Sequence, residues 1–454
     1  MNIKDRAIMF TAVFICIEVI LVGHLLGYAS VINNINPNSD AAQERLIKHE
    51  IRNSTVPGPI TDRDGIAITY AEQPGDDIKI VFPEPYSLLL GYNNSRQGDA
   101  GMLANSRLGK HILTPDSTSC GATVRLTLDN DVQQAAYKAI QGYDACAVVI
   151  EAKTGKVITL VTTDPDIVID YSTVDSIEQS NSKADSYSGS LIANWDVYLA
   201  TGSDIKAVTA CGIVESGWEN EIYRDTGSET IGFTIHNAYR GGKGNISMKQ
   251  AMIHSCNCYF FYYADQLGLV QMKDLYERFG IGEDIELDFM RLRARHNFET
   301  STRTEVACAG FGQGKLEVSI VNIAMFAAAF ANDGAMMKPY MIDCVYNNDG
   351  EIMHTEPAVY KQSVSAETAE IINDALAATA KSYGFGEGIY AKTGTADIWD
   401  GTNRAVLMTH NGDYAVAVCV DETHMAGKQL VPMVKQIYKA LDAADARAEA
   451  VPAE

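Results

Sequence analysis

The chain contains no C-x-x-C pair, no H-E-x-x-H helix motif and no internal repeat. Nine cysteines are scattered from Cys16 to Cys419 without that pairing, which removes zinc ribbons and thioredoxin-like redox motifs. His49-Glu50 lacks the second histidine of a zinc protease helix, so no metal site is expected. Twelve prolines and 36 glycines are too few for a collagen-like or linker-dominated chain. Positive charge is scarce: 36 Lys and Arg face 58 Asp and Glu, for a net charge of −22. A polyanion gains no electrostatic attraction from such a surface, so nucleic acid is not an expected partner. Apolar content is not lacking; at 46% it is that of a folded protein and excludes wholesale disorder. A length of 454 residues predicts two or three folded units at about 100–200 residues each.

The first long apolar run is Ala7 to Ile32. A spanning helix needs about 20 such residues. Lys4 and Arg6 precede it, which predicts a cytoplasmic tail at 1–6 and an extracytoplasmic remainder. Gly27-Tyr28-Ala29 also resembles a signal cleavage site, but signal cores run only about 7–15 residues, so an uncleaved anchor is the expectation. Glu18 and His24 lie inside the run, and Gly23 and Gly27 form G-x-x-x-G. That pattern suits a helix packed against another membrane protein; His24 snorkelling at the outer boundary is the plainer alternative.

Residues 33–40 read as a turn-rich linker, and residues up to 121 as a small irregular module with a hairpin signal at Asp64-Gly65. A second composition begins at Ala122. Thr123 to Leu128 alternates as a strand, and Asp129 can cap a helix over 130–141. Two β-rich runs, 147–150 and 156–161, flank a turn at Lys153-Thr154-Gly155. Residues 171–190 are a polar loop, and 203–270 reads as mostly helical. Ile320 to Ala331 is an apolar helix stopped by Asn332-Asp333-Gly334. Strand signals return at 389–395, 404–409 and 414–420, and residues 444–454 read as a loose tail. Helices enclosed between early and late strands predict an α+β domain whose sheet pairs distant segments.

Three short motifs carry chemistry. Ser203-Asp204-Ile205-Lys206 is S-x-x-K, preceded by Gly202. On a helix, i and i+3 share a face, so Lys206 can act as base for a Ser203 nucleophile. Ser180 to Lys183 also fits S-x-x-K but lies in the polar loop. Ser255-Cys256-Asn257 is S-x-N within an apolar stretch; in isolation a turn between two helices explains it equally well. Lys392-Thr393-Gly394-Thr395 ends a strand-like run, where Thr393 and Thr395 share a face. Such a strand suits an extended peptide laid along it. A second K-T-G, at 153–155, precedes S-x-N and reads as structural.

The three motifs in this order, 52 and 137 residues apart, form the signature of penicillin-recognising serine enzymes. Further segments resemble class B penicillin-binding proteins of the short-pedestal penicillin-binding protein A type. These are Pro59 to Gly65, Leu126 to Asp129 with Gln133 or Gln134, Ala147 to Ile158, Gly312-Gln313-Gly314, and Ala331 to Gly334 with Pro339. Gly91, Tyr92, Gly98 and Gly101 fit the short-pedestal members. The sequence departs from the family pattern at Thr201, where the family has proline, and at Asp204, where it has threonine. It departs again at Ala391, a glycine in the family, and at Arg404 to Met408 in place of Trp-Phe.

The resemblance implies a penicillin-binding transpeptidase fold, related to serine β-lactamases, with an N-terminal membrane helix. It divides the chain into a tail at 1–6, an anchor at 7–32, a pedestal at 33–121, a catalytic domain at 122–443 and a loose tail at 444–454. It implies D,D-transpeptidation of peptidoglycan stem peptides without a cofactor, and acylation by β-lactams. Ser203 would attack, Lys206 would be the base, Ser255 would relay a proton, and Asn257 would orient Lys206 and the substrate. Lys392, Thr393, Gly394 and Thr395 would hold the substrate carboxylate and backbone. A polytopic glycan polymerase is the implied membrane partner. A degenerate scaffold or sensor, a D,D-carboxypeptidase and a β-lactamase remain as alternatives. Against the last, the chain has no Leu-Asn dipeptide and no Glu after Asn257 with Asn four residues on, the arrangement that class A β-lactamases use for deacylation.

Overall fold

The computed structural model describes residues 54–74, 78–90, 111–112, 114–163, 199–200, 202–288, 290–314, 316–397 and 401–450. The expected anchor at 7–32, the linker at 33–40, the glycines at 91, 98 and 101, the Ser180 to Lys183 copy and Thr201 lie outside these residues.

The elements that carry the site are, in chain order, α1 (Asn130–Ile140), β1 (Ala145–Glu151), β2 (Val157–Thr163), α2 (Lys206–Glu215), α3 (Met248–His254) and α4 (Asn257–Arg278). They continue with α5 (Ile320–Ala331), α6 (Ala366–Ser382), β3 (Tyr390–Asp397), β4 (Asn403–His410), β5 (Tyr414–Thr423) and α7 (Val431–Ala450). Local chemistry fixes several ends. The Asp129 carboxylate accepts the N–H groups of Asp131 and Val132 at 3.0 and 3.1 Å and so starts α1. Ser319 and Asn322 cap each other reciprocally at the start of α5.

The five strands form one antiparallel sheet in the order β3-β4-β5-β1-β2. The late strand β5 pairs with the early strand β1, closing the sheet across more than 250 residues of sequence. Alternate side chains face opposite layers. Ala147, Val149, Leu407, Val416 and Val418 meet α1 and α7 through Val132, Ala136, Val434, Ile437 and Leu441. Cys146, Val148, Val406, Met408 and Ala417 face the other core, which contains α5 and the helical lobe of α2, α3 and α4. Apart from Asn322 at its capped start, the helix α5 is apolar all round, and it is buried from Ile320 to Phe330, as a helix enclosed between layers must be.

The fold corrects two expectations. Residues 203–270 are not mostly helical. Four short strands interrupt them, at Tyr223–Asp225, Ser228–Ile231, Phe233–His236 and Gly244–Ile246. Each is only three or four residues long, half exposed and bounded by turns at Gly227, Gly232 and Gly241, so no alternation is long enough to register. Residues from Ala444 are not loose up to Ala450, because α7 continues to that point. Its last turns are tied down by Tyr414 donating to Asp445 at 2.6 Å and by Arg447 pairing with Asp129 at 3.2 Å and with Asp131. The early module joins the catalytic region by strand pairing: Ile60–Thr61 pairs parallel with Thr123–Leu126, which pairs with Ile342–Asn347. Ile60, Ile68, Tyr86 and Leu90 enter the same core as Val148 and Leu160.

Candidate active site

The strand β3 is an edge of the sheet, and a cleft of about 280 Å³ lies beside it. Ser203, Ser255, Asn257, Phe311, Thr393 and Thr395 line this cleft. The three motifs thus arrive from three places: a 3-10 turn leading into α2, the junction of α3 and α4, and the edge strand.

Gly202 makes the approach of the first segment possible. Its φ is +57°, and a Cβ there would lie 3.0 Å from the backbone nitrogen of Thr395 and 3.1 Å from its carbonyl. A larger residue would push the Ser203 turn away from β3. Ser255 closes α3 with φ +52°, a left-handed conformation unusual for serine and of the kind that collects at functional turns. The turn between two helices and the S-x-N site are therefore the same structure.

Lys206 is fully buried, and its Nζ sits at the centre of the cluster. It lies 2.8 Å from Ser203 Oγ, 2.8 Å from the Ser255 carbonyl oxygen, 3.1 Å from Ser255 Oγ and 2.6 Å from Asn257 Oδ1. Burial pushes its pKa well below the ordinary lysine value, and the neighbouring Lys392 pushes the same way. A neutral amine has two N–H groups and one lone pair. The Asn257 and Ser255 carbonyl oxygens can accept only, so they take the two N–H groups. The lone pair is left to accept the hydroxyl proton of Ser203. In its neutral form the amine can therefore deprotonate the serine.

Lys392 is also fully buried, and its Nζ donates to Ser255 Oγ at 3.0 Å and to the Thr393 carbonyl at 2.8 Å. Ser255 Oγ thus lies between two lysine nitrogens, the position for a hydroxyl that passes protons. The Thr393 and Tyr383 hydroxyls hydrogen-bond at 3.0 Å, and Thr395 Oγ1 accepts the N–H of Gly427 at 3.3 Å. Gly427 lies close against the strand, where a Cβ would fall 2.7 Å from the Gly394 carbonyl oxygen. All eight residues singled out in the sequence fall in this one region, while Lys153 to Gly155 form the β1–β2 turn.

Asp204 is the exception in an otherwise paired site. It is fully buried, and neither carboxylate oxygen has a hydrogen-bond partner. Burial pushes its carboxyl up to about 8, against the pull of Lys392 and Lys206. It therefore stands beside the nucleophile as a neutral acid near pH 7, and it leaves Lys206 free to stay neutral as well. The sequence flagged Asp204 as an oddity but gave no sign of its protonation, which depends on burial. Nor did it flag Tyr383, Gly427, Asn237 or Asp225, which reach the site only through folded contacts. Among the described residues no group of three or more His, Cys, Asp or Glu is placed to hold a metal ion.

The family model for the penicillin binding protein transpeptidase domain matches residues 145–439. The peptidoglycan D,D-transpeptidase MrdA of Acinetobacter baumannii is 27% identical over 265 residues, 53% of this chain and 38% of the relative. The peptidoglycan D,D-transpeptidase PbpA of Mycolicibacterium smegmatis is 24% identical over 300 residues, 61% of each chain. These matches thus span from about a third to three fifths of the relatives' own length. Among solved structures, the ceftriaxone acyl-enzyme of penicillin-binding protein A from M. tuberculosis superposes with a TM-score of 0.77 at 20% identity, covering 87% of this chain and 99% of that one. The D,D-transpeptidase domain of a peptidoglycan glycosyltransferase from Eggerthella lenta gives the same TM-score at 22% identity, covering 86% and 99%. At such identities the superpositions establish the shared fold.

Proposed function

The chain belongs to the penicillin-binding-protein transpeptidase family, and from that premise we propose that it is a membrane-anchored D,D-transpeptidase that cross-links peptidoglycan stem peptides through an acyl-enzyme on Ser203. The observation that carries this reading is the buried Lys206 amine, 2.8 Å from Ser203 Oγ, with both N–H groups committed elsewhere.

That geometry supports a serine acyl-transfer route. Lys206 Nζ takes the Ser203 proton as Oγ bonds to the penultimate D-Ala carbonyl carbon of a donor stem. The backbone N–H groups of Ser203 and Thr395 stabilise the oxyanion, an effect worth about 3–4 kcal/mol per donor in comparable sites. The carbon–nitrogen bond then breaks, and the departing D-Ala amine takes a proton from Ser255 Oγ, which Lys206 replenishes. Lys392, Thr393 and Thr395 hold the terminal carboxylate along β3, and Asn257 orients the donor amide. An amine from a second stem attacks the ester, loses a proton to Lys206 and forms the new amide as Ser203 Oγ regains its hydrogen.

Residues 1–6 form the cytoplasmic tail, 7–32 the anchor, 33–121 the pedestal and 122–443 the catalytic domain in this reading. Gly23 and Gly27 pack the anchor against a polytopic glycan polymerase. The helices among the described residues include none long and apolar enough to cross a membrane. Co-purification of that partner should weaken in Gly23→Ile/Gly27→Ile while the chain stays in the membrane fraction; unchanged recovery removes the partner from the reading.

The function is tested with a donor peptide ending in D-Ala-D-Ala and an amine acceptor, with products read by mass. Release of D-Ala together with a donor–acceptor amide is expected. Release of D-Ala with only hydrolysed donor makes the protein a D,D-carboxypeptidase. Penicillin labelling without any turnover makes it a scaffold. An intact-mass time course after penicillin removal should show an adduct lasting hours; release within seconds makes it a β-lactamase.

A further inference from the structure

The S-x-N turn opens α4, and the first N–H groups of a helix need partners from outside it. Here the N-cap is Cys256, whose thiol, a weak acceptor, takes the Tyr259 N–H at 3.4 Å. A second cap comes from elsewhere in the chain. Asn237, directly after the strand Phe233–His236, accepts the Cys258 N–H on Oδ1 at 3.1 Å and the Cys256 thiol at 3.4 Å. These are the two residues that flank Asn257. Asn237 is itself fixed, because its Nδ2 donates to Asp225 at 2.9 Å. Asp225 is buried and collects three more donors: the Tyr239 hydroxyl at 2.7 Å, the Gly227 N–H at 2.9 Å and the Lys243 N–H at 2.9 Å. Burial opposes its charge, but these donors outweigh that and hold the carboxyl below its ordinary range. The neighbouring His236 carbonyl lies 3.4 Å from Asn257 Nδ2.

We propose that Asn237 and Asp225 are positioning residues that hold the Ser255–Asn257 turn, and through it the Lys206 amine, in the geometry that activates Ser203. This inference rests on the acylation reading above. The short strands at 223–246 are thereby more than a surface excursion: they carry a carboxylate-anchored amide that fixes the register of α4 against the nucleophile. The lever is short. Lys206 is held by the Asn257 side chain and the Ser255 carbonyl, and a displacement of about 1 Å in such a constellation costs on the order of 10²-fold.

The test compares penicillin acylation rates in the full-length wild type and in Asn237→Ala, Asp225→Asn and Ile235→Ala. Ile235 is buried in the same hairpin and its side chain carries no hydrogen-bonding group, so it controls for general destabilisation. Asn237→Ala should acylate about 10–100-fold more slowly, with Asp225→Asn smaller in the same direction. Ile235→Ala, brought to an equal loss of Tm, should acylate at close to the wild-type rate. The pH profile gives an independent readout. The Asn257 and Ser255 oxygens stabilise the protonated amine, so loosening them should move the acid limb of acylation to lower pH in Asn237→Ala. The groups that face Lys206 are Lys392, Asp204, Cys256 and Cys258, and none of them is altered in these variants. Equal loss in Ile235→Ala, or an unshifted acid limb in Asn237→Ala, overturns the inference. So does a labelling wild type with an equally active Asn237→Ala. A wild type that takes no label overturns the function reading and this inference together.

Discussion

The chain contains the tripeptide Lys-Thr-Gly twice, and the two copies lead different lives. Lys153 is exposed in the turn between β1 and β2, Thr154 bonds to Glu151 three residues back, and Gly155 supplies a φ of +82°. Lys392 is fully buried on an edge strand, its amine 3.0 Å from Ser255 Oγ, a residue 137 positions away. The first copy makes a turn whose side-chain bond is local, with the Gly155 carbonyl accepting the Tyr340 N–H at 3.1 Å. The second bonds its own strand through Lys392 and Thr393 but also reaches Ser255 of the serine cluster. Chemistry therefore depends on what a motif is buried against. The difference also supplies controls of matched composition.

The largest effect should come from truncating the two lysines. Lys392→Ala should lower the rate of acylation by penicillin about 10²–10³-fold, the scale of a lost electrostatic donor at a reacting centre. Lys153→Ala should leave that rate within about twofold. Stopped-flow labelling with a fluorescent penicillin measures both, and comparable losses would erase the distinction between the copies.

The glycine of the turn copy should affect stability alone. At Gly155 a Cβ would fall 2.4 Å from the Lys338 carbonyl oxygen, in a backbone conformation that alanine disfavours. Gly155→Ala should lose about 1–3 kcal/mol of stability, seen as a lower denaturation midpoint, while the folded fraction acylates normally. A selective loss of acylation would tie the turn to the site.

Asp204 sharpens the contrast, because a buried acid accompanies only the strand copy. With a carboxyl at about 8 against 3.8 for an unperturbed aspartate, the native state holds a proton that the unfolded chain releases. Stability should thus fall as pH rises from about 4 to about 8. Asp204→Thr should remove that slope, and its Tm advantage over wild type should widen across the same window by a few degrees. An advantage that stays constant with pH would mean the carboxyl is ionised throughout.

The smallest effect belongs to the threonines. Thr393 shares a hydrogen bond with Tyr383, so Thr393→Val should weaken substrate or drug affinity several-fold, a loss of about 1 kcal/mol. Thr154→Val should change no kinetic constant.

Much of this is legible in the sequence, for identifiable reasons. The α5 helix, 320–331, announces itself by an apolar run interrupted only by Asn322, with a cap before it and Asn332-Asp333-Gly334 after it. The edge strands are visible as β-rich runs, and the helical run behind Ser203, which the polar loop around Ser180 lacks, singles out Ser203. The strands at 223–246 are not visible, because each is too short to show a period. The end of α7 escapes notice although Ala, Glu and Arg favour helix, because the anchors Asp129 and Asp131 lie more than 300 residues away. Asn237 and Asp225 carry no motif. Their part in the site consists of hydrogen bonds that only the fold creates.

The central claim is that a buried, neutral Lys206 activates Ser203. It is tested most directly by the pH dependence of Ser203 acylation by benzylpenicillin, with the adduct mapped to its peptide at each pH. The neutral amine is the active form, so the rate should climb with pH through the lowered Lys206 pKa and level off well below the ordinary lysine value of 10.5. A rate that keeps rising to pH 10, or an adduct on any serine other than Ser203, would contradict it.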